Sequence, residues 1–169
     1  MKTAYVSTSI PYVNARPHVG FALELVQADV IARWHRLQGD DAFLLTGTDE
    51  NAFKNVKAAE SEGLTPRQLC DRNAAVFQGL ADALDISYKS FIRSSSTEHF
   101  RGASRFWTAC RKADIVQKKY RGLYCVGCED FYLKRDLTNG RCPVHSNPRS
   151  SRKRTISSAC PPIRRRWRP

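Results

Sequence analysis

Several features are scarce in this 169-residue chain, and each scarcity excludes something. No run of about 18 apolar residues occurs, so no transmembrane helix is expected. The start, Met1-Lys2-Thr3-Ala4-Tyr5-Val6-Ser7, lacks a long apolar core and a small-residue cleavage site. It does not read as a secretory leader, and the default is a cytoplasmic protein without a membrane partner. Methionine occurs once, at Met1. Internal repeats are missing. Acidic residues are absent from 149–169, which hold eight arginines and lysines, whereas residues 1–148 carry 20 basic against 16 acidic side chains. The net charge of +12 therefore belongs mainly to the tail, and the body is only mildly basic.

What is present suits one compact domain, or one domain with a small module. Hydrophobic residues make up 41% of the chain, enough for a core. Six cysteines in an intracellular chain of this length point to metal or free thiols before disulfides.

Residues 3–8 read as a buried strand. A loop with two prolines and Asn14 follows. Val19, Leu23, Val26, Val30, Trp34 and Leu37 then recur at spacings of three and four, one face of an amphipathic helix ending near Gly39. Ala42–Leu45 reads as a second strand closed by the polar turn Thr46-Gly47-Thr48-Asp49. Residues 50–62 and 66–84 read as helices, the second with Thr65 as cap and Pro66 in its first turn. Another strand is expected at Tyr88–Ile92, a helix at Thr97–Ala113, and an extended segment at Ile115–Tyr124. Strand, helix, strand, helix in this order predicts an α/β fold, a parallel sheet with crossover helices. The loop after the first strand then lies at the carboxyl edge, where such sheets bind ligands.

That loop reads Pro11-Tyr12-Val13-Asn14-Ala15-Arg16-Pro17-His18-Val19-Gly20-Phe21. A helix start offers free backbone N–H groups and a positive dipole end to a phosphate. His18 can donate to a phosphate oxygen, and Gly20 leaves room for a flat base or ribose. The plain alternative is a turn with a capping histidine.

Pro11-Tyr12-x-Asn14 with His18-Val19-Gly20 resembles the ATP-binding signature of class I aminoacyl-tRNA synthetases. With Gln27-Ala28-Asp29-Val30 and Thr46-Gly47-Thr48-Asp49-Glu50 added, the chain resembles the methionyl-tRNA synthetase family from about residue 3 to residue 145. The resemblance implies the amino-terminal half of a Rossmann-type catalytic domain that activates methionine with ATP and Mg2+ and passes it to tRNA(Met). A role on DNA is not implied. By the same resemblance His18 contacts the ATP phosphates, with Asn14 and Phe21 in the same ATP cradle. Gly20 packs beneath the adenosine, so that His18 and Gly20 are the catalytic pair. Tyr12 and the backbone near Ile10 border the methionine side chain, and Asp49 pairs with its ammonium; outside this context Asp49 reads as a turn-former. Two positions depart from the family. Phe21 replaces a small or polar residue, often His, and cannot hydrogen-bond a phosphate. Asn51-Ala52 replaces the usual His-Gly pair, keeping a donor but losing a permissive glycine.

Cys125-x-x-Cys128 is followed by Cys142-x-x-His145. Three thiolates and an imidazole at this spacing suit a closed tetrahedral zinc site. Gly127 and Pro143 shape the two turns, with a short hairpin expected at Phe131–Gly140. A redox pair or partly unliganded thiols are the alternatives, and neither uses His145. In the resembled family such a knuckle sits in a connective insertion and is structural. Cys70 and Cys110 lie on expected helices and read as small apolar residues.

The domains expected are a first half of the catalytic domain over 1–118, a knuckle insertion over 119–146, and a disordered basic tail over 147–169. The family continues past its knuckle to a Lys-Met-Ser-Lys-Ser loop, which a chain with one methionine at position 1 does not hold. An inactive amino-terminal fragment is therefore expected. The stretch Ser151–Ile163 can be encoded so that a shifted frame reads Glu-Glu-Ala-Asn-Tyr-Phe-Phe-Arg-Leu-Ser-Ala-Tyr, the family's own continuation. A frameshift between His145 and Ser151 is the resulting expectation. The competing readings are a zinc-knuckle module with an arginine arm that grips RNA, and a pseudogene product without function.

Overall fold

A computed structural model describes residues 1–110, 115–125, 127–145 and 149–158; for 115–122, 134 and 149–158 it describes the backbone. The chain divides into two compact units, Met1–Gly102 and Ala103–Pro169. The division precedes the 118/119 limit expected from the sequence. The reason is that, among the described residues, the strand starting at Ile115 pairs with strands that follow it.

The first unit runs β1 (Thr3–Ser7), α1 (Val19–Leu37), β2 (Asp41–Thr48), α2 (Phe53–Ser61), α3 (Pro66–Ala83) and β3 (Ser90–Arg93). Helix α4 (Thr97–Ala109) crosses the division, and none of its residues is buried. Its expected end at Ala113 lies outside the described residues. The three strands pair in parallel, in the order β1-β2-β3, with Val6 opposite Leu44 and Thr46 opposite Phe91. Parallel neighbours require crossovers, and α1 and the α2–α3 pair provide them. The expected α/β parallel sheet is therefore present.

The strand β2 is longer than expected. Thr46-Gly47-Thr48, read as a turn from its polarity, continues the ladder against β3. The hydroxyls of Thr46 and Thr48 find partners in Thr8 and Glu50, which removes the penalty for burying them. Helix α3 begins as its sequence demands. The Thr65 hydroxyl accepts from Gln68 N–H, the Gln68 side-chain Oε1 accepts from Thr65 N–H at 3.0 Å, and Pro66 fills the first turn.

Helix α1 departs from its pattern in an instructive way. Its buried side chains are Phe21, Leu25, Ala28, Asp29 and Ala32. The regular stripe expected to face the core lies on the opposite side and is exposed, from 40% at Val26 to 85% at Val19. The core gathers Val13, Leu25, Ala32, Leu44, Phe77 and Ile86, with Phe21 edge-on to Phe77 at 5.2 Å. Cys70 joins this core as expected. Asp29 is buried beside it as a clamp: it accepts from Ser87 N–H at 2.9 Å and from Arg33 Nε at 2.6 Å, pinning α1 to the segment before β3. Burial pushes its carboxyl up, but these donors outweigh burial and hold it below the ordinary range.

In the second unit β4 (Ile115–Cys125) lies between β5 (Asp130–Tyr132) and β6 (Arg149–Ser158), antiparallel to both. The hairpin expected within 131–140 is replaced by pairing of β5 back onto β4, then a 3-10 turn and a Thr138–Arg141 bridge. Residues 149–158, expected to be disordered, form β6. Composition weighs a segment by itself, whereas the free edge of β4 offers it a full row of backbone partners. Residues 159–169 of the expected tail lie outside the described residues. Cys110 falls just beyond α4, half-exposed, rather than on it.

Candidate functional site

Two loops meet at the carboxyl edge of the first unit's sheet. The segment after β1 passes beside the end of β2, where Asp49 N–H donates to the Pro11 carbonyl at 2.9 Å and Tyr12 bridges to Asp49 in parallel. Asn73 holds the same segment from α3 through the Val13 carbonyl, at 2.6 Å. Ser9 is tied to α1 through Glu24. Ile10, Tyr12, Asn14, His18 and Asp49, far apart in sequence, thus lie on two adjoining loops. Ile10, Asn14 and His18 are exposed, and Tyr12 and Asp49 are half-buried.

His18 caps α1. Its Nδ1 accepts from Gly20 N–H at 3.0 Å, which leaves the proton of the neutral imidazole on the exposed Nε2. The capping role and a donor role therefore coexist. The helix start is less open than expected, because Phe21 N–H and Ala22 N–H already donate to the His18 carbonyl. The exposed groups left at this helix start are His18 Nε2–H and the positive end of the helix dipole. Gly20 is needed for a local reason: a Cβ there would stand 2.9 Å from His18 Cε1. Phe21 is 4% exposed and its ring lies in the core, because position 21 falls on the face of α1 that meets the sheet and α3.

Besides Asn51, the Asp49 loop is held by Ser94 and Asn55, which sequence reading did not single out. The Asp49 carboxylate accepts from Ser94 Oγ at 3.2 Å and from Asn51 N–H at 3.1 Å, and Asn55 donates to the Asp49 backbone carbonyl at 3.1 Å. Asn51 Nδ2 donates to the Ser94 carbonyl, so it does keep a donor. Ala52 sits at φ −94 and ψ 145, an ordinary extended conformation that needs no glycine.

Behind Asp49, Glu50 is buried and paired with Arg93 in a fork, at 2.6 and 3.0 Å. Burial alone would raise the Glu50 pKa. Arg93, the Ser95 hydroxyl and Thr48 outweigh it and keep the carboxyl below the usual range. Arg93 also reaches Asp71 on α3. Lys54 Nζ lies 4.8 Å above the Tyr12 ring. The one available signal for Arg93 and Ser94 was a polar run, Arg93-Ser94-Ser95-Ser96, at the carboxyl end of a strand.

In the second unit Cys125, Cys128, Cys142 and His145 place their ligand atoms within 4.8 Å of one another. Cys128 Sγ is 3.5 Å from Cys142 Sγ and 3.2 Å from His145 Nδ1. Thiolates on one tetrahedral zinc stand about 3.8 Å apart, given zinc–sulfur bonds of about 2.3 Å. The cluster fits a metal of that kind. Gly127 is part of the fit, because a Cβ there would stand 2.6 Å from the His145 ring. Burial pushes the Cys142 thiol up, but donors led by His145 N–H and Tyr132 outweigh it and bring the pKa to about 6. It is therefore ready to act as a thiolate at neutral pH. Cys70, Cys110, Cys125, Cys128 and Cys142 are free thiols.

A family model described as "tRNA synthetases class I (M)" matches residues 4–161. The chain belongs to the class I (M) tRNA synthetases. Methionine–tRNA ligase of Brucella suis is 41% identical over 129 residues, 76% of this chain and 25% of the relative. The enzyme of that name from Mycobacterium leprae is 42% identical over 144 residues, 83% of this chain and 27% of the relative. Among solved structures, Mycobacterium tuberculosis methionyl-tRNA synthetase in complex with methionyl-adenylate superposes with a TM-score of 0.85 at 36% identity. The match covers 94% of this chain and 32% of that one. The chain thus spans about a quarter of the length of these curated relatives. Among the described residues no helix is long and apolar enough to cross a membrane.

Proposed function

We propose that this chain is the methionine- and ATP-facing amino-terminal part of a cytoplasmic methionine–tRNA ligase. The observation that carries the reading is the Tyr12–Asp49 bridge, which sets the capped start of α1 and an oriented carboxylate at one sheet edge. The likeness to a synthetase solved with methionyl-adenylate supports it. Asp49 takes the methionine ammonium, and Tyr12 and Ile10 border the thioether. Asn14, His18 and Gly20 receive ATP, with Mg2+ arriving on its phosphates. The methionine carboxylate attacks the α-phosphorus and pyrophosphate leaves; the terminal ribose hydroxyl of tRNA(Met) then attacks the carboxyl carbon of the adenylate, and AMP leaves. No side chain need act as nucleophile. The protein supplies positioning, and the His18 donor faces charge that develops on phosphate. Zinc in the cysteine–histidine cluster holds the second unit together and does no chemistry. The lysine loop of the family is not in this sequence, so adenylate formation by the chain alone is slow or absent.

Equilibrium dialysis with labelled methionine and, separately, ATP with Mg2+ tests this. Asp49→Asn is expected to weaken methionine binding about tenfold or more while leaving ATP binding unchanged, since a charged contact is lost. His18→Ala should do the reverse. No methionine binding, or equal binding by the Asp49 variant, would overturn the proposal. Methionine-dependent ATP–pyrophosphate exchange at the rate of a full-length relative would overturn the expected inactivity.

A further inference from the structure

The first unit holds a cleft of about 360 Å³ beside the loop that follows β1. Its walls are Ala15 and Arg16 of that loop, Glu62 at the end of α2, and Arg72, Asn73 and Val76 of α3. Ile10, Tyr12, Asn14, His18 and Asp49 do not line it, so it is separate from the methionine- and ATP-facing edge. A volume of this size suits a small molecule. The walls are tied to one another. Asn73 donates from α3 to the Val13 carbonyl of the loop at 2.6 Å, and Arg72 bridges α3 to Glu62. The cleft is therefore preformed.

Its charge is not balanced internally. Arg72 donates through both terminal nitrogens to Glu62, at 2.7 and 3.2 Å, and through Nε to Asn73 Oδ1 at 3.0 Å. The guanidinium has further N–H donors to spare. Both partners of this pair are half-exposed, unlike the buried Glu50 beside Arg93. An ion pair so placed is worth little, and its carboxylate is exchangeable. Arg16 is exposed, and its side chain has no ion-pair or hydrogen-bond partner among the described residues. Two guanidiniums thus face one carboxylate.

Glu62 shows which group the Arg72 fork accepts, a planar oxyanion held by two parallel bonds. A phosphoryl group carries more charge and one more oxygen than a carboxylate. It can engage Arg72 and Arg16 together, where a carboxylate satisfies one fork. Ala15 and Val76 add an apolar wall against which a few carbon atoms can lie. Walls from three chain segments surround a space of molecular size, which favours a small ligand over a polymer backbone that needs a continuous groove.

We propose that this cleft binds a small phosphate monoester, with its phosphoryl oxygens between Arg16 and Arg72 and its carbon part against Ala15 and Val76. Glu62 is the internal competitor that the phosphoryl group displaces from Arg72.

Glycerol phosphate is the probe, titrated into the nitrogen-15-labelled chain in about 0.15 M sodium chloride, where loose surface attraction is screened. Two-dimensional NMR reads each amide separately. The amide resonances of Ala15, Arg16 and Arg72 are expected to move together along one saturable curve. Arg16→Ala, at an exposed position without a partner, should weaken binding about tenfold through loss of one charge-assisted contact. Glu62→Gln removes the competing carboxylate and should tighten binding about threefold. Inorganic phosphate should displace the probe. Dispersed spectra show that each variant is folded. No saturable movement at these amides, a curve that neither variant changes, or no displacement by inorganic phosphate would overturn the proposal. Movement confined to the arginine-rich residues 149–169 would do the same, by assigning the binding to tail charge alone. So would loss of the curve in His18→Ala, which would place the phosphate at the start of α1. A short single-stranded RNA that displaces the probe at far lower concentration would make RNA the occupant and overturn it too. The titration contains neither methionine nor ATP, so its outcome is independent of their assignments.

Discussion

Arg93→Ala is the perturbation that most directly tests how the Asp49 loop is held. In the folded chain the guanidinium grips Glu50 through two bonds, and the Glu50 carboxylate is 1% exposed. Removing the arginine leaves a buried carboxylate supported by the Ser95 and Thr48 hydroxyls. Losing one partner of a buried pair costs about 3–5 kcal/mol. Arg93 is 30% exposed, so water can reach part of the vacated space, and the lower end, about 3 kcal/mol, applies. For a unit of this size that lowers Tm by about 12–24 °C. The second contact of Arg93, to Asp71, is half-exposed, and Asp71→Ala should cost less than about 1 kcal/mol.

The pH dependence separates this explanation from simple loss of packing. The folded pKa of Glu50 lies below its ordinary value of 4.5, so its stabilisation is fully present above that value. It is lost as the pH falls through the lowered folded value. In Arg93→Ala the carboxyl loses its main charge partner and protonates at higher pH. The gap in stability between the two proteins should therefore narrow between about pH 7 and pH 4. Urea unfolding followed by circular dichroism at both pH values reads it. A gap below about 1 kcal/mol at neutral pH, or a gap that does not change with pH, would refute the ion-pair reasoning.

Three further outcomes are expected. Gly127→Ala should abolish stoichiometric zinc binding measured by atomic emission, because its Cβ displaces the His145 ring; retained binding would show that the knuckle adapts. Thr65→Ala should lower stability by about 1 kcal/mol through loss of the α3 capping box, read by thermal denaturation. Resequencing the DNA from the codon for Cys142 onward should show a single-base shift that opens the family's continuation; an unchanged sequence would make the arginine-rich tail the genuine product.

The sequence by itself determined the order of elements in the first unit, its parallel sheet and the two chemically distinctive clusters. Helix α3 was legible because Thr65, Pro66 and Gln68 act within one turn. The cysteine–histidine cluster was legible because each half spans four residues, and a knuckle of that size is set by local turn geometry. The family was legible because its motifs are contiguous. What tertiary structure alone decided were matters of facing and partnership. The apolar period of α1 announced a helix but not which side meets the sheet; that depends on Phe21, Leu25 and Phe77 filling one space. The ring of Phe21 turns into the core for the same reason. Thr46 and Thr48 looked like turn residues until β3 supplied a ladder and neighbours supplied hydroxyl partners. The tail's composition argued for disorder until β4 offered it an edge. Arg93 and Ser94, which orient Glu50 and Asp49, stand more than 40 positions from them. Local sequence encodes propensity and short-range caps, whereas the pairing of distant polar groups is chosen only when burial makes an unpaired one costly.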